Sequence, residues 1–131
     1  MKYLLDTHFL LWLFIEPDKI STPVQTILLN KDNQIFYSPI SLWEINIKYS
    51  LNKLDLKGIT PEGFYQEVRD SFLTYLPLDN AIISTNYRLP RHHKDPFDRL
   101  LIWQSICEKL LFISSDSNNP LYQTHGLQFI S

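Results

Sequence analysis

The sequence predicts an α/β fold built on a parallel sheet with both faces covered. Two observations lead there. Short apolar runs alternate with longer stretches of helical character, the pattern of strands buried on both sides. Two of those runs end on an acid. Tyr3-Leu4-Leu5 stops at Asp6, and Leu111-Phe112-Ile113-Ser114-Ser115 stops at Asp116. In such sheets the carboxyl ends of the strands are where ligands bind.

The elements follow in order. Lys2 to Asp6 reads as a buried strand, followed by a helix through Ile15 that Pro17 stops. Ser21-Thr22-Pro23 starts a second helix, with Val24, Ile27 and Leu28 on its apolar face. Gln34 to Tyr37 is the next strand, and Ser38-Pro39 opens a helix running through Glu44 to about Leu51. Thr60-Pro61-Glu62-Gly63 begins another, with Phe64, Val68 and Phe72 on one side. Leu73 to Leu78 is read as a strand, and Asp79 caps a short helix to about Tyr87. Asp95-Pro96 caps a helix to Lys109, and strands follow at Leu110 to Ser114 and Leu127 to Ile130.

At 131 residues, 44% hydrophobic and 20% charged, residues 1–131 are expected to form one domain with a substantial core. A formal net charge of −2 gives no global sign of a nucleic-acid binder. Locally, Arg88, Arg91, Lys94 and Arg99 crowd the segment around Asp98, as a basic rim beside an acidic pocket would. The single cysteine, Cys107, excludes an intramolecular disulfide and fits a reducing compartment. It lies among apolar residues and is expected to pack in the core, as are Trp12, Trp43 and Trp103. The apolar run Phe9 to Ile15 is too short to span a bilayer and lacks the flanks of a signal peptide. A cytoplasmic protein without a membrane anchor is expected.

Four acids have largely apolar neighbours: Asp6, Glu44, Asp98 and Asp116. Each has an ordinary explanation. Asp6 fits a helix N-cap, and Glu44 pairs with Lys48 four residues on. Asp98 suits the first turn of a helix already capped by Asp95, and Asp116 suits a turn. Together they suggest more, because buried carboxylates are costly without a counter-charge. Three or four carboxylates suit Mg²⁺ or Mn²⁺, hard octahedral ions that serve phosphodiester hydrolysis. Thr7 and Ser114 would orient the acids by hydrogen bonds. A zinc site among His8, His92, His93, His125 and Cys107 lacks ligand spacing.

At these residues the chain resembles PIN domains, specifically the VapC-like ribonuclease toxins of toxin–antitoxin pairs. The matching pieces are Leu4-Leu5-Asp6-Thr7-His8 with Leu11-Trp12, Ser41-Leu42-Trp43-Glu44-Ile45-Asn46-Ile47-Lys48, His93-Lys94-Asp95-Pro96-Phe97-Asp98-Arg99-Leu100-Leu101-Ile102 and Phe112-Ile113-Ser114-Ser115-Asp116. They occur in the family's order over nearly the whole chain. The resemblance implies a three-layer α/β/α sandwich and a Mg²⁺- or Mn²⁺-dependent endoribonuclease leaving a 5′-phosphate and a 3′-hydroxyl. It makes Asp6, Glu44 and Asp98 metal-binding catalytic acids, with Asp116 as a fourth. Asp95 competes with Asp98, but its capping role and the Asp-x-Leu-Ile pattern favour Asp98, leaving Asp95 in support. Trp103 departs from the pattern, standing where a small alanine is common. A homodimer and a cognate antitoxin, received by exposed aromatic surface, are also implied.

Arg99, Lys48, Arg91 and Lys94 are the candidates for substrate phosphate. A phospho-receiver domain is the alternative from another class, but Asp6 has no acidic neighbour and Phe36-Tyr37-Ser38-Pro39 supplies no phosphoacceptor. A haloacid-dehalogenase-type phosphatase would want Asp-x-Asp where the chain has Asp6-Thr7-His8. A silent PIN-like binding module sits poorly with four retained acids. A DNA-cleaving PIN nuclease is compatible with the same acids.

Overall fold

A computed structural model describes residues 1–131. Five parallel strands form one sheet in the order β3-β2-β1-β4-β5. They are β1 (Lys2–Leu5), β2 (Gln34–Tyr37), β3 (Thr74–Tyr75), β4 (Leu111–Ile113) and β5 (Gln128–Ile130). The helices are α1 (Thr7–Ile15), α2 (Thr22–Leu29), α3 (Pro39–Ser50), α4 (Pro61–Arg69), α5 (Asn80–Thr85) and α6 (Pro96–Glu108). Short 3₁₀ turns at Pro17–Lys19, Asn86–Arg88 and Asn119–His125 connect them.

Strand residues alternate between two cores, which makes the three layers. Tyr3, Leu5, Ile35, Tyr37 and Ile113 face a core shared with Phe9, Leu10, Val24, Phe64 and Val68 of α1, α2 and α4. Leu4, Phe36 and Phe112 face the other, shared with Leu101 and Ile102 of α6 and with Tyr122. Helix α3 serves both, through Ile45 on one side and Ile40 on the other.

Topology places the site. From β1 the chain steps outward to β2 and β3, then returns to the other side of β1 for β4 and β5. The order therefore reverses between β1 and β4, where such sheets open a crevice at their carboxyl ends. Asp6 follows β1 there, and its backbone N–H donates to the Ile113 carbonyl of β4 (3.0 Å). Asp116 lies just beyond β4 on the same edge.

Several expectations need correction. The third strand is two residues long, Thr74–Tyr75; Leu76 N–H still donates to the Tyr37 carbonyl (2.9 Å), and Pro77, which has no N–H, follows it. Helix α4 ends at Arg69, so Phe72 leaves its face and is exposed. Cys107 is exposed, since the buried stripe of α6 runs through Leu101, Ile102 and Ser105. Trp43 is 61% exposed, off the Ile40-Ser41-Glu44-Ile45 stripe that α3 buries. No helix is long and apolar enough to cross a membrane.

Candidate active site

Each acid is delivered by the start or first turns of a helix or by a strand end. Asp6 is the N-cap of α1: its Oδ1 accepts from the Phe9 backbone N–H (2.9 Å). The capping role and the site role fall on one residue. Burial pushes its carboxyl up to about 6, against the hydrogen bonds from Phe9 and the Ser114 hydroxyl. Asp98 stands in the first turn of α6 and is pushed up to about 7, by burial and then by the charges of Asp95, Glu44 and Asp116, with His93 opposing.

Glu44 is 1% exposed. Its Oε2 accepts from Lys48 Nζ one turn along α3, while its Oε1 has no hydrogen-bond partner. That pair raises the ammonium pKa of Lys48, overriding the opposite effect of burial. Asp95 caps α6, its Oδ1 accepting from the backbone N–H groups of Phe97 (2.8 Å) and Asp98 (3.1 Å). Glu44, Asp95 and Asp98 each bring an oxygen within 4.8 Å of the other two. Around Asp98 a second group forms on the same scale, with His93 and Asp116.

Asp116 differs from the others. Burial alone would raise its pKa, but the Asn118 backbone N–H and the His93 ring outweigh it, and the carboxyl sits below its ordinary range. Its Oδ1 accepts from Asn118 N (2.8 Å) and Nδ2 (3.1 Å), and its Oδ2 lies 2.6 Å from His93 Nε2. Asp6 and Asp116 share the wall of an open cleft of about 270 Å³ with His8, Trp12 and Ser115.

All four predicted acids therefore meet at one edge, with Asp95 as a fifth. Asp6 stands slightly apart, outside both close groups, but within the influence of Glu44's charge. Ser114 is buried, its hydroxyl lowers the Asp6 pKa, and its Oγ accepts from Asp116 N (3.2 Å). Thr7 acts otherwise than expected: its hydroxyl donates to Ser41 Oγ (3.0 Å), tying α1 to α3 rather than orienting a carboxylate. Arg99 is a correction. It is 5% exposed, and its guanidinium donates to the carbonyls of Leu89 (3.0 Å) and Pro90 (2.8 Å), which leaves it unsuited to meet a phosphate. Arg91 and Lys94 are exposed on the loop leading into α6. His93 was not among the predicted site residues, because its partner Asp116 is 23 residues away, with α6 and β4 between them.

A parallel α/β protein gathering five acids at its topological switch point is one whose ligand crevice is lined by carboxylates. The PIN domain family model matches residues 3–125, so this chain belongs to the PIN domain family, a family of nucleases. Curated proteins give no sequence match. Among solved structures, the chain is similar to VapBC2 from Rickettsia felis bound to a DNA fragment from their promoter (19% identity, 99% of this chain and 98% of that chain, TM-score 0.71). It is also similar to VapBC-1 from nontypeable Haemophilus influenzae (18%, 100% and 98%, TM-score 0.67). A third is VapBC-5 from Mycobacterium tuberculosis, of the VapBC family of toxin-antitoxin systems (15%, 98% and 97%, TM-score 0.62). At these identities the likeness is one of fold.

Proposed function

We propose that this PIN domain is a Mg²⁺- or Mn²⁺-dependent endoribonuclease and the toxin of a toxin–antitoxin pair. The observation that carries the metal is Glu44 Oε1, a buried carboxylate oxygen with no partner, on a side chain grouped with Asp95 and Asp98. An oxygen-only donor set of this charge suits a hard divalent cation. Bound there, the ion would supply Lewis acidity and a water activated near neutral pH.

The chain's own residues do the rest. Glu44 and Asp98 hold the ion, with Asp6 behind them at the end of β1. Asp95 fixes the turn that presents Asp98. Asp116, held by Asn118 and His93, faces the open cleft where a phosphodiester would lie. Lys48 balances the charge of Glu44 and remains partly exposed towards substrate. Arg91 and Lys94 supply sequence-independent phosphate contacts. The products are a 5′-phosphate and a 3′-hydroxyl.

The VapBC neighbours, of a family of toxin-antitoxin systems, support an antitoxin partner, and a homodimer is proposed beside it. Trp43, exposed at a cleft of about 370 Å³ with Pro39, Leu78, Phe97 and Leu100, provides apolar surface for such assembly. The test is cleavage of end-labelled total RNA with Mg²⁺ or Mn²⁺, by wild type, Asp98→Asn and Glu44→Gln. Cutting is expected only from wild type with metal; equal cutting by both variants would overturn the reading. Growth arrest on induction, relieved by co-expressing the adjacent small open reading frame, tests the toxin role.

A further inference from the structure

His93 is held from three directions. Its backbone N–H donates to Tyr122 Oη (2.8 Å), and that hydroxyl in turn donates to the Pro90 carbonyl (2.8 Å). Arg99 clamps the same loop through Leu89 and Pro90. The third hold is on the ring: Asp95 N–H donates to His93 Nδ1 (3.1 Å). A backbone amide can only donate, so Nδ1 must present its lone pair, and the ring proton sits on Nε2. Nε2 lies 2.6 Å from Asp116 Oδ2 and 3.2 Å from Asp98 Oδ2.

This tautomer decides between two roles for His93. To ligate a metal through Nε2, the neutral ring would have to move its proton to Nδ1, setting two donors against each other at Asp95. We infer that His93 is a positioning residue, not a ligand: its Nε2–H bridges Asp98 and Asp116, presenting α6 and the β4 edge to one cation in fixed register. The bridge links the two carboxylates that come from different structural elements. It also takes up one oxygen of Asp116, whose other oxygen Asn118 already holds. This rests on the metal-site reading above.

Side-chain chemistry separates the functions of the ring. His93→Asn keeps an acceptor for Asp95 N–H near the Nδ1 position but has no donor at Nε2. His93→Gln can place a donor near Nε2. The experiment measures Mn²⁺ affinity by calorimetry for wild type, His93→Asn, His93→Gln and Glu44→Gln, with melting curves to establish folding. Wild type should bind, His93→Asn should lose roughly tenfold or more in affinity, and His93→Gln should recover most of it. Pulsed electron paramagnetic resonance of the wild-type Mn²⁺ complex should show no directly coordinated ¹⁴N. Long-range ¹⁵N correlation spectra of the metal-free protein should show the Nε2–H tautomer. Equal Mn²⁺ affinity in all three His93 forms, a coordinated nitrogen, or an Nδ1–H ring would each overturn the bridge. Failure of wild type to bind Mn²⁺, with Glu44→Gln unchanged, would instead remove the metal reading and the bridge with it.

Discussion

Asp98 has three acidic neighbours and little water, so its negative form is the most crowded at the site. Replacing it by Asn removes that repulsion while keeping the shape. Asp98→Asn should therefore stabilise the metal-free protein at pH 8 by about 1–3 kcal/mol while abolishing cleavage, a trade common at functional sites. Urea unfolding in chelator checks it; a variant less stable than wild type would count against the crowding. Arg99 makes the opposite prediction. Arg99→Ala leaves the Leu89 carbonyl without its donor and takes from the Pro90 carbonyl one of its two donors, and should cost roughly 2–4 kcal/mol. A loss within experimental error would restore it as a free phosphate ligand. At this scale the acids were legible because charged side chains among Leu, Ile and Trp stand out. His93 and Tyr122 were not, since their bonds join positions 23 to 32 residues apart, with α6 and β4 between them, and no local periodicity brings such partners together.

Helix termini are the elements that build the site. Asp6 caps α1, Ser38 caps α3 and Asp95 caps α6, so the first turns of three helices converge on the strand ends. The Asp95 cap can be separated from its charge. Asp95→Asn retains a good N-cap and should melt close to wild type, whereas Asp95→Ala should lose about 1 kcal/mol. Thermal denaturation of the pair decides it: equal losses would mean that the cap adds nothing. Caps, prolines and apolar runs made most elements readable, and β2 begins and ends where the sequence placed it. Faces were harder. Trp43 and Cys107 sit in apolar stretches, yet the 3.6-residue turn carries both away from the buried stripes. The 3₁₀ segment Asn119–His125 went unread because Ser117-Asn118-Asn119-Pro120 has the composition of a turn, and two buried residues three apart are too few to set a period.

Across the whole molecule, the raised acids tie stability to pH. An unfolded aspartate releases its proton near 3.8, whereas Asp6 and Asp98 keep theirs up to about 6 and about 7. Between those values the folded chain binds more protons than the unfolded one. Stability must then fall as pH rises from about 4 to about 7 and remain lower above that. Melting temperatures in chelator should decline from pH 5 to pH 8, and Mg²⁺ or Mn²⁺ should recover most where the acids are ionised. A flat or rising profile would mean that the acids are already compensated. The alternation of strand residues between two cores follows from a run of apolar strands. Which strands adjoin was not in the pattern, because order depends on crossovers that only the packed chain reveals.

The most direct measurement is anomalous diffraction from crystals grown with Mn²⁺, because it locates the cation without relying on turnover. A peak bonded to Glu44 and Asp98 at the carboxyl end of the sheet is the predicted result. Density for Mn²⁺ elsewhere only, with Glu44 Oε1 still without a partner, would contradict the account.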